Sequence, residues 1–339
     1  MRLIKTEDAV GHVLCHDMTQ IIKDQYKDAR FRKGHVVTEE DIPVLLSMGK
    51  EHLYVWEMTS GMVHENDAAE RLLALCGQEN MIRSGVKEGK IELKAACDGV
   101  FLVDSARLVA VNSQDEVMIA TRKGGMAVRE GDKLAGMRVI PLIIEEEKLR
   151  KAEQAAGDKP LLSLKPYVRK TACIVATGGE VKKGLIKDTF TPVVIDKLKT
   201  YGIETLEVVY SGDGVENVRD AVLAMREKKP DMILCTGGMS VDPDDNTPGG
   251  IKAAGANIIA YGAPVLPGAM FLLGYFDDGM PVMGLPGCVM YAGATVFDLV
   301  LPKIAADVPV TRADFAALGE GGLCLGCKPC HYPICPFGK

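Results

Sequence analysis

Two stretches of this 339-residue chain gather side chains able to do chemistry. The first is "CTGGMSVDPDDNTPGG", residues 235–250, where a Thr-Gly-Gly turn lies beside Asp242, Asp244 and Asp245. Bare backbone N–H groups in a glycine turn suit a phosphate or another oxyanion. Carboxylates suit a hard cation such as Mg²⁺, which itself prefers phosphate oxygens, carboxylates and water. A metal-bridged phosphate ligand therefore satisfies both halves of the loop. The plainer alternative makes Asp242 and Asp244 solvated turn residues, with Asp245 supporting a helix cap at Thr247. The second stretch is the tail "CLGCKPCHYPICPFGK", in which Cys324, Cys327, Cys330 and Cys335 crowd together. Thiolates so spaced can converge on one soft metal, or they can remain a tail of unliganded thiols.

Loops of this kind need a scaffold, and the surrounding periodicity supplies one. From residue 171 the pattern alternates: "TACIVA" a buried strand, "PVVIDKLKTYG" a helix capped by Thr189, "IETLEVVY" a strand, "VENVRDAVLAMREKK" a helix, and "DMILC" a strand. After the acidic loop come a short helix "PGGIKAAGA", a strand "NIIAYG", a hairpin of "MFLLGYF" and "MPVMG", and a final helix "VMYAGATVFDLVLPKIAA". Such alternation predicts an α/β fold, a three-layer αβα arrangement around a mostly parallel sheet. Three glycine loops each follow a strand and precede a helix: Thr177-Gly178-Gly179, Thr236-Gly237-Gly238 and Leu285-Pro286-Gly287. In open parallel sheets these loops line the carboxyl edge, where ligands bind. Glycine in one such turn can serve the turn alone.

The preceding half reads differently. Residues 1–150 are expected to form a smaller α+β, β-rich region, followed by a linker over 151–170, the αβα domain over 171–306, and a cysteine-rich tail over 307–339. Within 1–150, a Thr38 cap opens a helix over "VVTEEDIPVLLSMGK", "HLYVW" is a strand, and "ENDAAERLLALCGQ" a helix ended by Gly77. From Ile91 to Ile144 we read short strands, "GVFLVD", "RLVAVN", "EVMIAT", "GGMAV" and "RVIPLII".

Composition excludes several classes. A net charge of −6 argues against a nucleic-acid surface, and no apolar run reaches the length of a membrane span. The start, "MRLIKTEDAVGH", lacks the apolar stretch of a secretion signal, so a cytoplasmic protein is expected. Cys15, Cys76, Cys97, Cys173, Cys235 and Cys288 are scattered, as reduced core thiols are.

The loops also resemble those of a known family. "TGGMSVDPDDNTP" is similar to the Thr-Gly-Gly…Asp-x-Thr-Pro signature of the molybdopterin-binding domain, found in molybdopterin adenylyltransferases, molybdopterin molybdotransferases and gephyrin-like fusions. "ATGGEVKKGLIKDTF", "LPGAM" and "GLPGCV" resemble further segments of that domain, in order, between Thr171 and Ala306. The resemblance implies that Thr236, Gly237, Gly238 and Ser240 hold the terminal phosphate of molybdopterin, with Met239, Asp242 and Thr247 in the same loop. It implies that Asp245 handles Mg²⁺ during transfer to or from the adenylylated pterin. Thr177, Gly178, Gly179, Glu180 and Asp188 would line the pocket floor or the ATP/AMP side, and Pro286, Gly287 and Cys288 would close it. The chain departs from the family pattern at Gly179 (Asp), Ala269 (Lys) and Cys288-Val289 (Asn-Pro), and "SGDG" brings only Asp213 where an acidic pair is usual.

The expected function is binding of molybdopterin, or its nucleotide form, in molybdenum cofactor biosynthesis, with Mg-dependent adenylyl or molybdenum transfer. A non-catalytic cofactor carrier, chaperone or sensor serving a molybdoenzyme or cofactor-pathway protein is one alternative. A nucleotide-binding protein of the competence-damage type is another. A homo-oligomer is expected. The tail resembles a ferredoxin-type run with one residue too many before the last Cys, which leaves zinc or an iron–sulfur centre, with His331 as a further donor.

Overall fold

The computed structural model describes residues 2–22, 26–55, 61–240, 242–243 and 245–339. Asp244 of the acidic loop and Trp56 of "HLYVW" lie outside the described residues. No helix among the described residues is long and apolar enough to cross a membrane.

The chain divides into two compact units. The first comprises 1–96, 103–124 and 131–163. Its opening segment pairs strands Arg2–Lys5 and His52–Val55, adds a hairpin of Met18–Ile22 and Tyr26–Phe31, and carries a helix over Asp41–Ser47. Leu14, Met18, Phe31, Leu45 and Leu53 close a small core of their own. The remainder holds a four-stranded antiparallel sheet, ordered Met81–Arg83, Ile91–Ala95, Lys133–Val139, Val117–Thr121, with helices over Glu65–Cys76 and Glu146–Ala156.

Three local expectations fail in this unit or just beyond it. "RLVAVN" is helical, not a strand: the helix runs Ser105–Asn112. Its β-branched residues point to a strand by type, yet Asp104 accepts from the Arg107 N–H at 3.1 Å and from its Nε at 2.8 Å. The same guanidinium donates to the carbonyls of Ala156, Lys159 and Pro160. A cap plus such a tether outweighs a propensity difference of a few tenths of a kcal/mol per residue. Thr38 does not cap by its side chain, because the helix starts later, at Asp41, whose carboxylate accepts from the Thr38 N–H and hydroxyl. Likewise Thr189 makes no capping bond; Asp188, one residue earlier, accepts from the N–H groups of Phe190 and Thr191 at 2.9 and 3.0 Å.

The second unit comprises 97–102, 125–130 and 164–339. We label its main elements in chain order: β1 (Thr171–Thr177), α1 (Phe190–Lys199), β2 (Glu204–Ser211), α2 (Val215–Glu227), β3 (Met232–Thr236), α3 (Thr247–Ala253), β4 (Asn257–Tyr261), β5 (Leu272–Tyr275), β6 (Pro281–Leu285), α4 (Val296–Ala305) and α5 (Arg312–Ala317). They build a six-stranded sheet in the order β2-β1-β3-β6-β5-β4. The first four strands are parallel; β5 and β4 are antiparallel additions.

Alternation along β1 explains the layers. Ala172 and Ile174 pack on one side with Val194 and Leu198 of α1 and Phe297, Val300 and Ile304 of α4. Cys173 and Val175 pack on the other with Val218, Val222 and Met225 of α2 and Ile251 of α3. This is the three-layer αβα fold. Burying each of these larger side chains contributes about 1.5–3 kcal/mol, so the two apolar faces dominate the stability of the unit. The final helix starts later than its apolar run suggests. A 3₁₀ turn occupies Gly287–Met290, and α4 begins at Val296, where Thr295 and Asp298 form a capping box. The helix α5 beyond it is opened by a second capping box, Thr311 with Asp314.

Candidate functional site

Parallel register brings the strand ends level: Thr177 faces Ser211, Ala176 faces Thr236, and Thr236 faces Leu285. The three glycine loops therefore leave the sheet along one edge. Side chains then lock them to each other. Thr177 donates its hydroxyl to the Thr236 carbonyl at 2.9 Å and lies 3.1 Å from the Thr247 hydroxyl, which donates to the Gly237 carbonyl at 2.8 Å. All three threonines are buried. The Thr177 and Thr247 hydroxyls are thus engaged within the fold, and they fix the loop backbone.

Gly237 and Gly238 both have left-handed backbones, at φ +81° and +59°. A β-carbon on Gly237 would lie 2.4 Å from the Thr177 carbonyl oxygen, and one on Gly238 would lie 2.7 Å from the Thr247 hydroxyl. Only glycine fits at these two places. Among the described residues, the N–H groups of Gly237, Gly238, Met239 and Ser240 find no protein acceptor. That leaves a run of donors at the start of an acidic loop.

The rest of the loop is held from two sides. Met239 is buried, with its thioether where a β-carbon of Gly284 would lie. Tyr261, at the end of β4, donates its hydroxyl to the Met239 carbonyl at 3.1 Å. Burial, with the Asp245 carboxylate nearby, raises the Tyr261 hydroxyl above its ordinary pKa. Ser240 and Asp242 are exposed, and Asp245 is half-buried. The Asp245 N–H donates to the Asp242 carbonyl at 2.9 Å, and the Asp245 carboxylate accepts from the Asp242 N–H at 3.4 Å. Among the described residues, neither carboxylate forms an ion pair. These oxygens are suitable donors for a hard cation such as Mg²⁺.

The first loop is arranged differently. Gly179 opens one helical turn, Gly179–Lys182, which also contains Glu180. Its N–H donates to Asp213 at 2.9 Å, and a β-carbon there would lie 2.7 Å from the same carboxylate oxygen. Asp213 thus takes up the space and the donor that Gly179 leaves open. Asp188 caps α1, as described. Burial raises its carboxyl, but hydrogen bonds from Thr191, Phe190 and Tyr210 outweigh this and hold it below the usual range.

In the third loop Pro286 is buried, Gly287 exposed and Cys288 half-buried. Nothing lies within 4 Å of a β-carbon built on Gly287. Burial pushes the Cys288 thiol up, against a backbone hydrogen bond that lowers it, and the Asp298 carboxylate adds to the rise. The Thr189 hydroxyl reaches the Met290 sulfur at 3.1 Å, tying the end of the first loop to the third. Tyr261 and Met290 were not singled out from the sequence; each is an ordinary strand-end or loop residue by type and acquires a role only from the sheet order.

The tail cysteines are not gathered: among the described residues no three His, Cys, Asp or Glu side chains are placed to hold a metal. Cys324 and Cys335 are half-buried, and Cys327 and Cys330 exposed.

Comparison with known proteins now places this domain. Residues 173–306 match the family model described as "probable molybdopterin binding domain", so this part of the chain is similar to that family. Residues 3–57 match a domain of unknown function. A CinA-like protein of Mycobacterium tuberculosis is 33% identical over 76 residues, covering 22% of this chain and 18% of that protein. The chain thus matches less than a fifth of that relative's length. Among solved structures, the CinA protein of Thermoplasma acidophilum aligns at 18% identity over 40% of this chain and 98% of that one, with a TM-score of 0.34. The molybdopterin biosynthesis enzyme MoaB of Thermus thermophilus aligns at 16% identity over 42% and 98%, with a TM-score of 0.36.

Proposed function

We propose that the edge formed by the three loops binds molybdopterin or its nucleotide form, and that the protein acts in molybdenum cofactor biosynthesis. The observation that carries this reading is the Gly237–Ser240 backbone. Its N–H groups lack protein acceptors among the described residues, its shape is fixed by Thr177 and Thr247, and Asp245 stands beside it. In this reading the amides of Gly237, Gly238 and Ser240 take the pterin phosphate. Asp245, with Asp242 nearby, holds Mg²⁺, which supplies charge neutralisation between phosphates. Gly287 leaves room for close approach from the third loop.

The same geometry supports binding more strongly than group transfer. Asp213 occupies the Gly179 amide with a negative charge, and Ala269 offers no cation where the family pattern has Lys. A carrier or sensor that holds the cofactor for another protein needs only the first half of the machinery. The CinA-like match supports keeping the competence-damage-type reading, in which a nucleotide is bound in place of the pterin.

Incubating the protein with molybdopterin, Mg-ATP and molybdate, and following pyrophosphate release and cofactor formation, separates the three. Turnover supports the enzyme. Tight pterin binding without turnover supports the carrier. Binding of a nucleotide but no pterin would overturn the pterin reading in favour of the third.

A further inference from the structure

The four tail cysteines are a motif that the pterin reading leaves unused, and the structure shows that their segment is docked, not free. On its N-terminal side, Leu323 bridges Leu266, the Cys324 N–H donates to the Leu266 carbonyl at 2.8 Å, and the Leu266 N–H donates to Gly322 at 2.8 Å. At the other end, Phe337 is buried in the α4 side of the core, and the Tyr332 hydroxyl donates to the Asp298 carbonyl at 3.0 Å. Cys324 and Cys335 are therefore anchored against the same apolar layer. Between them Cys327 and Cys330 stand exposed. Cys330 packs on Gly293, where an added β-carbon would lie 2.7 Å from its sulfur, and Gly293 belongs to the connection between the third site loop and α4.

We propose that Cys324, Cys327, Cys330 and Cys335 bind one thiolate-ligated metal centre, zinc or an iron–sulfur cluster, beside the third loop. Soft thiolates select these metals over the hard cations that carboxylates hold. The thiols lose their protons to solvent as the metal–sulfur bonds form; zinc needs no electron transfer, and a cluster takes its ferric ions from ferric iron supplied together with ferrous iron and sulfide. In the structure the sulfurs are apart, but little has to break to bring them together. Leu325–Cys330 contains no helix or strand, and among the described residues its backbone groups form no hydrogen bond with other backbone groups. Left unliganded, exposed thiols so close in sequence are open to oxidation.

The test is metal content of the full-length protein purified without oxygen, then of the apoprotein reloaded with zinc alone or with ferrous iron, ferric iron and sulfide. One centre per chain is expected, as zinc in the first arm or as iron with acid-labile sulfide in the second. The Cys327→Ser/Cys330→Ser protein should fall to background, and Cys97→Ser should keep the full amount. Thermal unfolding of the double variant should match that of wild-type apoprotein, since both side chains are exposed. No metal above background in either arm would overturn the proposal, as would equal loading of the double variant or an as-isolated disulfide within the four. Pterin binding does not enter these readouts, so the outcome is independent of the reading of the loops.

Discussion

At the residue scale, the Thr-Gly-Gly loop separates two kinds of glycine. Gly237 is needed by the fold, because its left-handed backbone brings it within 2.4 Å of the Thr177 carbonyl once a β-carbon is added. Gly237→Ala should therefore cost about 2 kcal/mol or more, seen as a lowered midpoint in denaturant. Gly287 has open space around it, so Gly287→Ala should leave that midpoint unchanged while weakening pterin binding about tenfold. An unaltered affinity would remove Gly287 from the site. Asp245 is the other discriminating residue. If it holds Mg²⁺, Asp245→Asn should lower any turnover by on the order of 100-fold while leaving pterin affinity within a few-fold; parallel loss of both would show that it only shapes the loop.

Among the elements, capping and strand-end hydrogen bonds decide where helices begin. The capping box of Thr295 and Asp298 starts α4 beside the third loop, and Thr295→Ala should cost about 1 kcal/mol, read from thermal unfolding. Asp231, just before β3, accepts from the N–H groups of Lys170 and Thr171 at 2.6 and 2.9 Å, and from the Thr171 hydroxyl at 2.9 Å. Burial raises its carboxyl, but these bonds outweigh burial and lower it below the ordinary value. A depressed folded pKa means that stability is present above the unfolded value, near about 3.9, and is lost as pH falls through the folded one. Asp231→Asn should accordingly be less stable than wild type at pH 7, with the gap closing in strong acid. A constant gap across that range would point to packing instead.

These elements also mark what the sequence could and could not reveal. The αβα alternation was readable because buried parallel strands are short apolar runs and α2 is amphipathic, and the three loops followed from their places between strand and helix. The helix over 105–112 was hidden, since the interactions that set it are Asp104 and the distant carbonyls of Ala156 and Pro160. Asp213 on the Gly179 amide, and Tyr261 on the Met239 carbonyl, are contacts across strand order, which spacing along one chain does not encode.

At the scale of the molecule, the second unit draws on earlier chain. Gly99–Val103 pairs with Met126–Val128 and neighbours Leu162–Pro166 in a three-stranded sheet, and Tyr167 donates its hydroxyl to the Gly99 carbonyl at 3.0 Å. A fragment beginning at residue 164 lacks those partners. It should unfold at lower denaturant than the same domain in the full chain, and equal midpoints would show that the small sheet adds nothing. Whether the whole protein is a pterin protein rests on one measurement: equilibrium titration of the full chain with molybdopterin, with and without Mg²⁺. The expected result is saturable binding, one pterin per chain, tightened by Mg²⁺ and weakened in Gly287→Ala. No saturable binding under either condition would contradict it.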